Sequence, residues 1–274
     1  MKAHLDPERI AKQQLDGDAR ATARFEGLME RKVARMTMSS LAFLRGSAPF
    51  FYELCECRPE LARGPKGKGW LSGDLHLENF GAYRTDGHAP SSRVAFGVND
   101  FDEAIIGPWR IDVLRLTTSM ILATRGLGID GTSSTDIAFS LLHGYANAKK
   151  TRAKLPSVVA RLIEQVRVRT RKQLLDARTV LRHGQRMLAI GPRYREISKS
   201  LAAEAEKAFD TYVDAFVTND PRKKKAFRVI DVAQRIAGTG SLGCLRFAIL
   251  TEGKGGRDGS FLFDMKEEGA SAAA

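Results

Sequence analysis

Ser72-Gly73-Asp74-Leu75-His76-Leu77-Glu78-Asn79-Phe80-Gly81 packs an acid, an imidazole and an amide into six positions. A lone Asp or Asn in a loop caps a helix or makes a turn. Here the aspartate is followed five residues later by the asparagine, and the spacing raises the stake. A second acidic position follows Asn79 after 21 residues, in Phe96-Gly97-Val98-Asn99-Asp100-Phe101-Asp102-Glu103. Arg93 to Asn99 reads as a short strand because Val94, Phe96 and Val98 alternate, so Asp100 stands directly after an apolar strand.

Outward from this stretch the chain is mostly helical. Residues 7 to 34 read as a polar helical approach. Residues 36 to 57 are more apolar, and from Pro49 they read as a buried helix with Phe50, Phe51 and Leu54 at near-helical spacing. Gly64 to Gly69 is a loop by composition. Residues 110 to 125 predict a helix through Ile111, Leu114, Met120 and Ile121, closed by Gly126. Residues 133 to 150, 157 to 182 and 197 to 216 continue as helices, with a break at Gly191-Pro192. After Asp220-Pro221 the pattern changes. Arg228 to Ile236, Leu245 to Leu250 and Phe261 to Met265 read as strands, separated by glycine-rich loops. The expected class is therefore α+β, with a helical body over residues 1–220 and an antiparallel β unit over 221–274. The chain stops shortly after a strand, which is what a fragment of a longer protein would show.

Composition bounds the function. Hydrophobic content of 43% and charged content of 28% fit a folded globular chain and argue against wholesale disorder. No apolar run reaches the ~20 residues of a membrane span, and the polar N-terminus lacks a signal-peptide core. The expected location is the cytoplasm. Cys55, Cys57 and Cys244 form no disulfide framework, and Cys55-x-Cys57 lacks the second ligand pair of a zinc site. The net charge of +12 is partly concentrated in Lys149, Lys150, Arg152, Lys154, Arg161, Arg167, Arg169, Arg171 and Lys172, and in Arg222, Lys223, Lys224 and Lys225. Such runs usually solvate a helix face. Few aromatics interleave them, which argues against a single-strand stacking platform.

Asp74 and Asn79 share the catalytic-loop spacing of protein kinases. Gly73-Asp74-Leu75-His76 with Asn79 resembles the motif of aminoglycoside phosphotransferases and choline kinases, with Ser72 where those enzymes carry a histidine. Asn99-Asp100-Phe101-Asp102-Glu103 is similar to their second, metal-binding motif, and Asp112 is placed like the aspartate that braces their catalytic loop. The resemblance implies a kinase-like body in which Asp74 meets the acceptor hydroxyl while Asn79 and Asp100 hold magnesium. His76, Asp102 and Asp112 would support them. Together with Phe43-Leu44-Arg45-Gly46 and Gly238-Thr239-Gly240-Ser241-Leu242-Gly243, these motifs resemble a bacterial family known as domain of unknown function 2252, from about Arg31 to Lys266.

Gly238 to Gly243 matches GxGxxG, a weak signal alone. In a strand-loop-strand context it suits a kinase glycine loop, with Gly238, Gly240, Ser241 and Gly243 cradling ATP phosphates and Lys266 neutralising them. This loop follows the catalytic loop instead of preceding it, so the resemblance implies a circularly permuted and truncated kinase-like fold. The function expected is an ATP- and magnesium-dependent phosphotransferase acting on a hydroxyl of a small molecule or a protein. The rivals are a nucleotide-binding pseudokinase, a basic nucleic-acid-binding module and an AMP-transferring enzyme. Neither acceptor nor oligomeric state is legible.

Overall fold

Helices begin where the sequence supplies a cap. Asp6, Ser39, Asp130, Thr170 and Ser198 each accept a backbone N–H of the first turn that follows. The computed structural model describes residues 6–62, 67–85, 93–148, 154–217 and 220–274. They form α1 (Pro7–Thr22), α2 (Leu28–Met36), α3 (Ser40–Gly46), α4 (Ala48–Glu56), α5 (Pro59–Ala62), β1 (Lys68–Leu71), a 3₁₀ turn (Leu77–Asn79), β2 (Phe80–Arg84), β3 (Val94–Val98) and β4 (Ile105–Pro108). These are followed by α6 (Arg110–Gly126), α7 (Gly131–Asn147), α8 (Ser157–Val168), α9 (Arg171–Asp176), β5 (Thr179–Arg182), β6 (Gln185–Leu188), β7 (Tyr194–Arg195) and α10 (Lys199–Tyr212). Last come α11 (Pro221–Lys224), β8 (Val229–Arg235), β9 (Arg246–Thr251) and β10 (Phe261–Lys266). The class is α+β with small antiparallel sheets.

The chain forms two compact units that interleave in sequence. One comprises residues 1–167, 239–243 and 268–274; the other comprises 168–238 and 244–267. The boundary read from composition at residue 220 is therefore not where the units divide. α9, α10 and β5 to β7 belong with the later strands, because the apolar faces of those strands need partners.

In the first unit, α3 and α7 pack on α6, and α2 on α3. Leu28, Met36, Leu44, Tyr52, Leu71, Leu75 and Leu116 are buried there. Two antiparallel ribbons, β1 with β4 and β2 with β3, carry the loops of interest. In the second unit the sheet order is β10-β9-β8-β7, all antiparallel. β9 is central and buried on both faces. Its Phe247 and Ile249 join Ala205, Phe209 and Val213 of the α10 side, while Ala248 and Leu250 join Leu175, Leu188 and Tyr194. The strict alternation explains why a single short strand can serve two cores.

Several expected elements shift. The long helix over 157–182 breaks at Arg169-Thr170, where Thr170 and Gln173 form a capping box for α9. Residues 179–182 then pair with 185–188 as a hairpin about His183 (φ 48°) and Gly184 (φ 80°). The helix from 110 runs through Gly126, and Gly128 (φ 81°) makes the left-handed turn after it. α10 gives way at Val213 to a π turn over Val213–Val217. Residues 64–66 of the expected loop, and Lys149, Lys150 and Arg152 of the basic run, lie outside the described residues, as does the side chain of Arg222. Elsewhere the basic run is partly committed: Lys172 pairs with Asp176 at 2.6 Å, and Arg171 lies 5.0 Å over the Phe261 ring.

Candidate active site

The loop after β1 is held by its backbone. Ser72 N–H donates to Asp112 Oδ2 at 2.6 Å and Gly73 N–H to Asp112 Oδ1 at 3.2 Å. Asp112 is buried in the first turn of α6, so one side chain fixes both amides to the helix. Gly73 has φ 88°, and a Cβ there would overlap the Glu103 carbonyl. Ser72 Oγ donates to Asp100 O at 3.1 Å, so the serine that replaces a histidine of the resembled motif ties this loop to the Asp100 segment. Leu77 N–H donates to the fully buried Ser119 of α6 at 3.0 Å.

This anchoring brings the expected residues of the first unit together. Asn79 is buried at the end of the 3₁₀ turn. Its Oδ1 accepts from His76 N–H at 2.7 Å, and its Nδ2 donates to Asp100 Oδ2 at 3.3 Å. The β2–β3 ribbon sets that meeting, since Asn99 N–H donates to Asn79 O at 3.0 Å directly after the last ladder pair, Phe80 with Val98. Asp100 is exposed. Asp74 Oδ1 accepts from Arg115 Nε at 2.8 Å and from Arg115 Nη2. Asp74 Oδ2 lies 3.9 Å from His76 Nε2.

The electrostatics follow from burial. Burial pushes the Asp74 carboxyl up to about 6, against the pull of Arg115 and with added repulsion from Glu103 and Asp100. Burial, with Arg45 and Arg115 nearby, drives His76 down to about 3. His76 is therefore neutral near pH 7, and its approach to Asp74 is not an ion pair. Asp112 is also raised by burial, opposed by the two loop amides it accepts.

The glycine loop is placed differently from the expectation. Residues 239–243 belong to the first unit, between β8 and β9 of the second. Gly243 (φ 107°) sits where a Cβ would overlap Ala21 O of α1, and Gly240 lies against Arg45 O. Gly240 O accepts from the buried Lys32 Nζ at 3.1 Å. These glycines thus have a packing reason of their own, independent of phosphate. Leu242, between them, is buried. Lys266 ends β10 opposite Arg246, in the second unit with Gly238. Asp102 is exposed.

Three further contributors are Arg115 and Ser119, which lie in no motif, and Glu103, which ends the Asn99-Asp100-Phe101-Asp102-Glu103 motif. Arg115 and Ser119 stand on the same helix as Asp112, and Glu103 faces Asp74 electrostatically. Glu103 also takes Ser271 Oγ on its carbonyl and Ala272 N–H on Oε2, each at 2.7 Å. The signal for Arg115 is its i+3 spacing from Asp112.

Magnesium is the metal implied by the resemblance. The donors that meet here are carboxylate and amide oxygens, the chemistry that a hard cation takes. Among the described residues no group of three or more His, Cys, Asp or Glu side chains is placed to hold a metal. Asp100 is an exposed carboxylate of this group, beside the Asn79 amide. Asn79 has one oxygen lone pair left after the His76 amide.

No helix of the described residues is long and apolar enough to cross a membrane. No curated protein and no solved structure matches the chain. Residues 24–274 match a family described as "Uncharacterized protein conserved in bacteria (DUF2252)". That match spans nearly the whole sequence and contains every residue of the site, so the chain belongs to the DUF2252 family of bacterial proteins.

Proposed function

We propose that this chain is a magnesium-dependent phosphotransferase that moves a phosphoryl group from a nucleoside triphosphate to a hydroxyl. One observation carries the reading: a carboxylate, Asp74, on a loop whose amides are held by Asp112, beside an exposed second carboxylate, Asp100. That pairing separates two tasks. Asp74, with Oδ1 occupied by Arg115, offers Oδ2 to an acceptor hydroxyl and takes its proton. Asp100 would hold magnesium, which supplies charge neutralisation for the transferring phosphates. Asn79 keeps Asp100 and the His76 amide in register. Gly240 and Gly243 pack on backbone, and the reading rests on Asp74 and Asp100 without the glycine loop.

A thermal shift with ATP, with magnesium and with both tests the binding half. A ligand at 100 times its dissociation constant stabilises by about 2.7 kcal/mol. The expected result is a rise with both together that exceeds either alone and is lost in Asp100→Ala. Turnover of γ-labelled ATP with a hydroxyl library tests the chemistry. Asp74→Ala should lower it by roughly 10²–10⁴-fold. Turnover unchanged in that variant removes Asp74 from the reaction. Product mass separates phosphoryl from AMP transfer.

A further inference from the structure

Arg115 has no exposed surface at all (0%). A guanidinium removed from water needs its charge and its donors met by the protein. Nε and Nη2 both reach Asp74 Oδ1, Nη2 also donates to Leu44 O at 2.9 Å, and Nη1 is buried with no hydrogen-bond partner among the described residues. The guanidinium carbon lies 4.9 Å from the Phe51 ring centre and 5.9 Å from that of Tyr52. These contacts leave the group little freedom, because α3, α4 and the Asp74 loop all close on it. Asp112, three residues earlier on the same turn of α6, is already committed to the amides of Ser72 and Gly73. A single turn of α6 therefore holds the loop twice, by its backbone through Asp112 and by its carboxylate through Arg115.

The consequence lies in the two oxygens of Asp74. A carboxylate free to rotate presents either one to a neighbour. Here Oδ1 receives two N–H donors, while among the described residues Oδ2 has only the neutral His76 edge at 3.9 Å. The Asp74 side chain keeps 25% of its surface exposed, so it is reachable from outside.

We propose that Arg115 is the positioning residue of this site, clamping Asp74 Oδ1 so that Oδ2 alone meets the acceptor hydroxyl. What Oδ2 does there rests on the phosphotransferase reading; the clamp is a separate matter of geometry. Arg115 acts through Asp74 and touches no reacting atom. A merely structural arginine would support the fold whether or not residue 74 could ionise. A positioning arginine loses its effect once residue 74 no longer acts.

Two measurements decide it. The first is a nitrogen-15 NMR spectrum of the arginine Nε–H groups in the intact chain, with the Arg115 peak assigned by its loss in Arg115→Lys. Asp74→Asn should move that peak and leave the other arginines in place. A peak that does not move overturns the clamp. The second is a kinetic double-mutant cycle. Arg115→Lys should lower kcat by about 10²-fold, the scale of a 1 Å misplacement, with KM for the nucleotide unchanged. In an Asp74→Asn background the same change should cost nothing further. Equal losses in both backgrounds, or a loss confined to KM, overturn the positioning role. A chain without turnover whose Arg115 peak still responds to Asp74→Asn overturns the phosphotransferase reading and upholds the clamp.

Discussion

Asp112 spends both carboxylate oxygens on the amides of Ser72 and Gly73, so its removal strands one buried and one partly buried donor. Each stranded donor costs about 1–3 kcal/mol. Asp112→Ala should therefore lower unfolding free energy by about 2–5 kcal/mol in a denaturant titration, and an unchanged midpoint would mean that the loop is anchored elsewhere. Asp74 makes a prediction in pH. Its folded value of about 6 lies above the ordinary 3.8, so the folded chain holds that proton more tightly than the unfolded chain does. The stability from this group is fully present below 3.8 and is lost as pH rises through about 6. Asp74→Asn cannot ionise and should flatten that part of the stability curve. Catalysis runs the other way, because only the ionised carboxylate takes a proton. kcat/KM should climb about tenfold per pH unit below the Asp74 value and level off above it, and a flat profile from pH 5 to 7 would separate Asp74 from proton transfer. The grouping of Asp74, Asn79, Asp100 and Asp112 is legible in the sequence because their spacing resembles that of a kinase loop, and the fold brings these side chains together. Arg115 reads from sequence as a structural ion pair at least as readily as a site residue. A lone arginine on an amphipathic helix looks the same whether it faces water or a carboxylate, until the loop closes over it.

At the scale of elements, the hairpin whose first strand falls at the end of the helix expected over 157–182 is instructive. Thr179 to Leu188 carries a strand-turn-strand pattern with His183-Gly184 at its centre, but the preceding basic helical run masks it. Both turn residues have positive φ, the form that a two-residue hairpin demands. Gly184→Ala meets no neighbour, so only backbone strain opposes it, at about 1 kcal/mol. Gly243→Ala adds overlap with Ala21 O to its strain and should cost about 3 kcal/mol or more. Thermal melts of the two variants side by side test whether the glycine loop is a packing device; equal, small shifts would return it to candidacy as an open loop. The strands β8, β9 and β10 are readable because alternation and apolar runs of that length suit a strand and little else. β7 is not, since two residues at a sheet edge leave no period to detect.

For the whole molecule, composition puts the change of texture near residue 220, whereas packing puts the start of the second unit at Val168. Texture follows local propensity, and packing follows which apolar faces meet, so the two need not agree. In the first unit the buried pair Lys32 and Asp18, 2.8 Å apart, also receives the Gln14 side chain and grips Gly240 O. Removing one partner of such a pair costs about 3–5 kcal/mol, because the other charge stays buried. Lys32→Met should destabilise by that amount, and Lys32→Met with Asp18→Leu by much less, as read from denaturant midpoints. An equal loss in both would assign the effect to shape instead of charge. The Lys32 contact also bears on the order of synthesis. Lys32 and Gly240 are 208 residues apart in the chain, and translation proceeds at about 5–20 residues per second. Lys32 is therefore synthesised roughly 10–40 seconds before the carbonyl it will grip exists. During that interval Lys32 has its Asp18 partner but lacks its backbone acceptor, so this part of the first unit completes its packing only once Gly240 has been made.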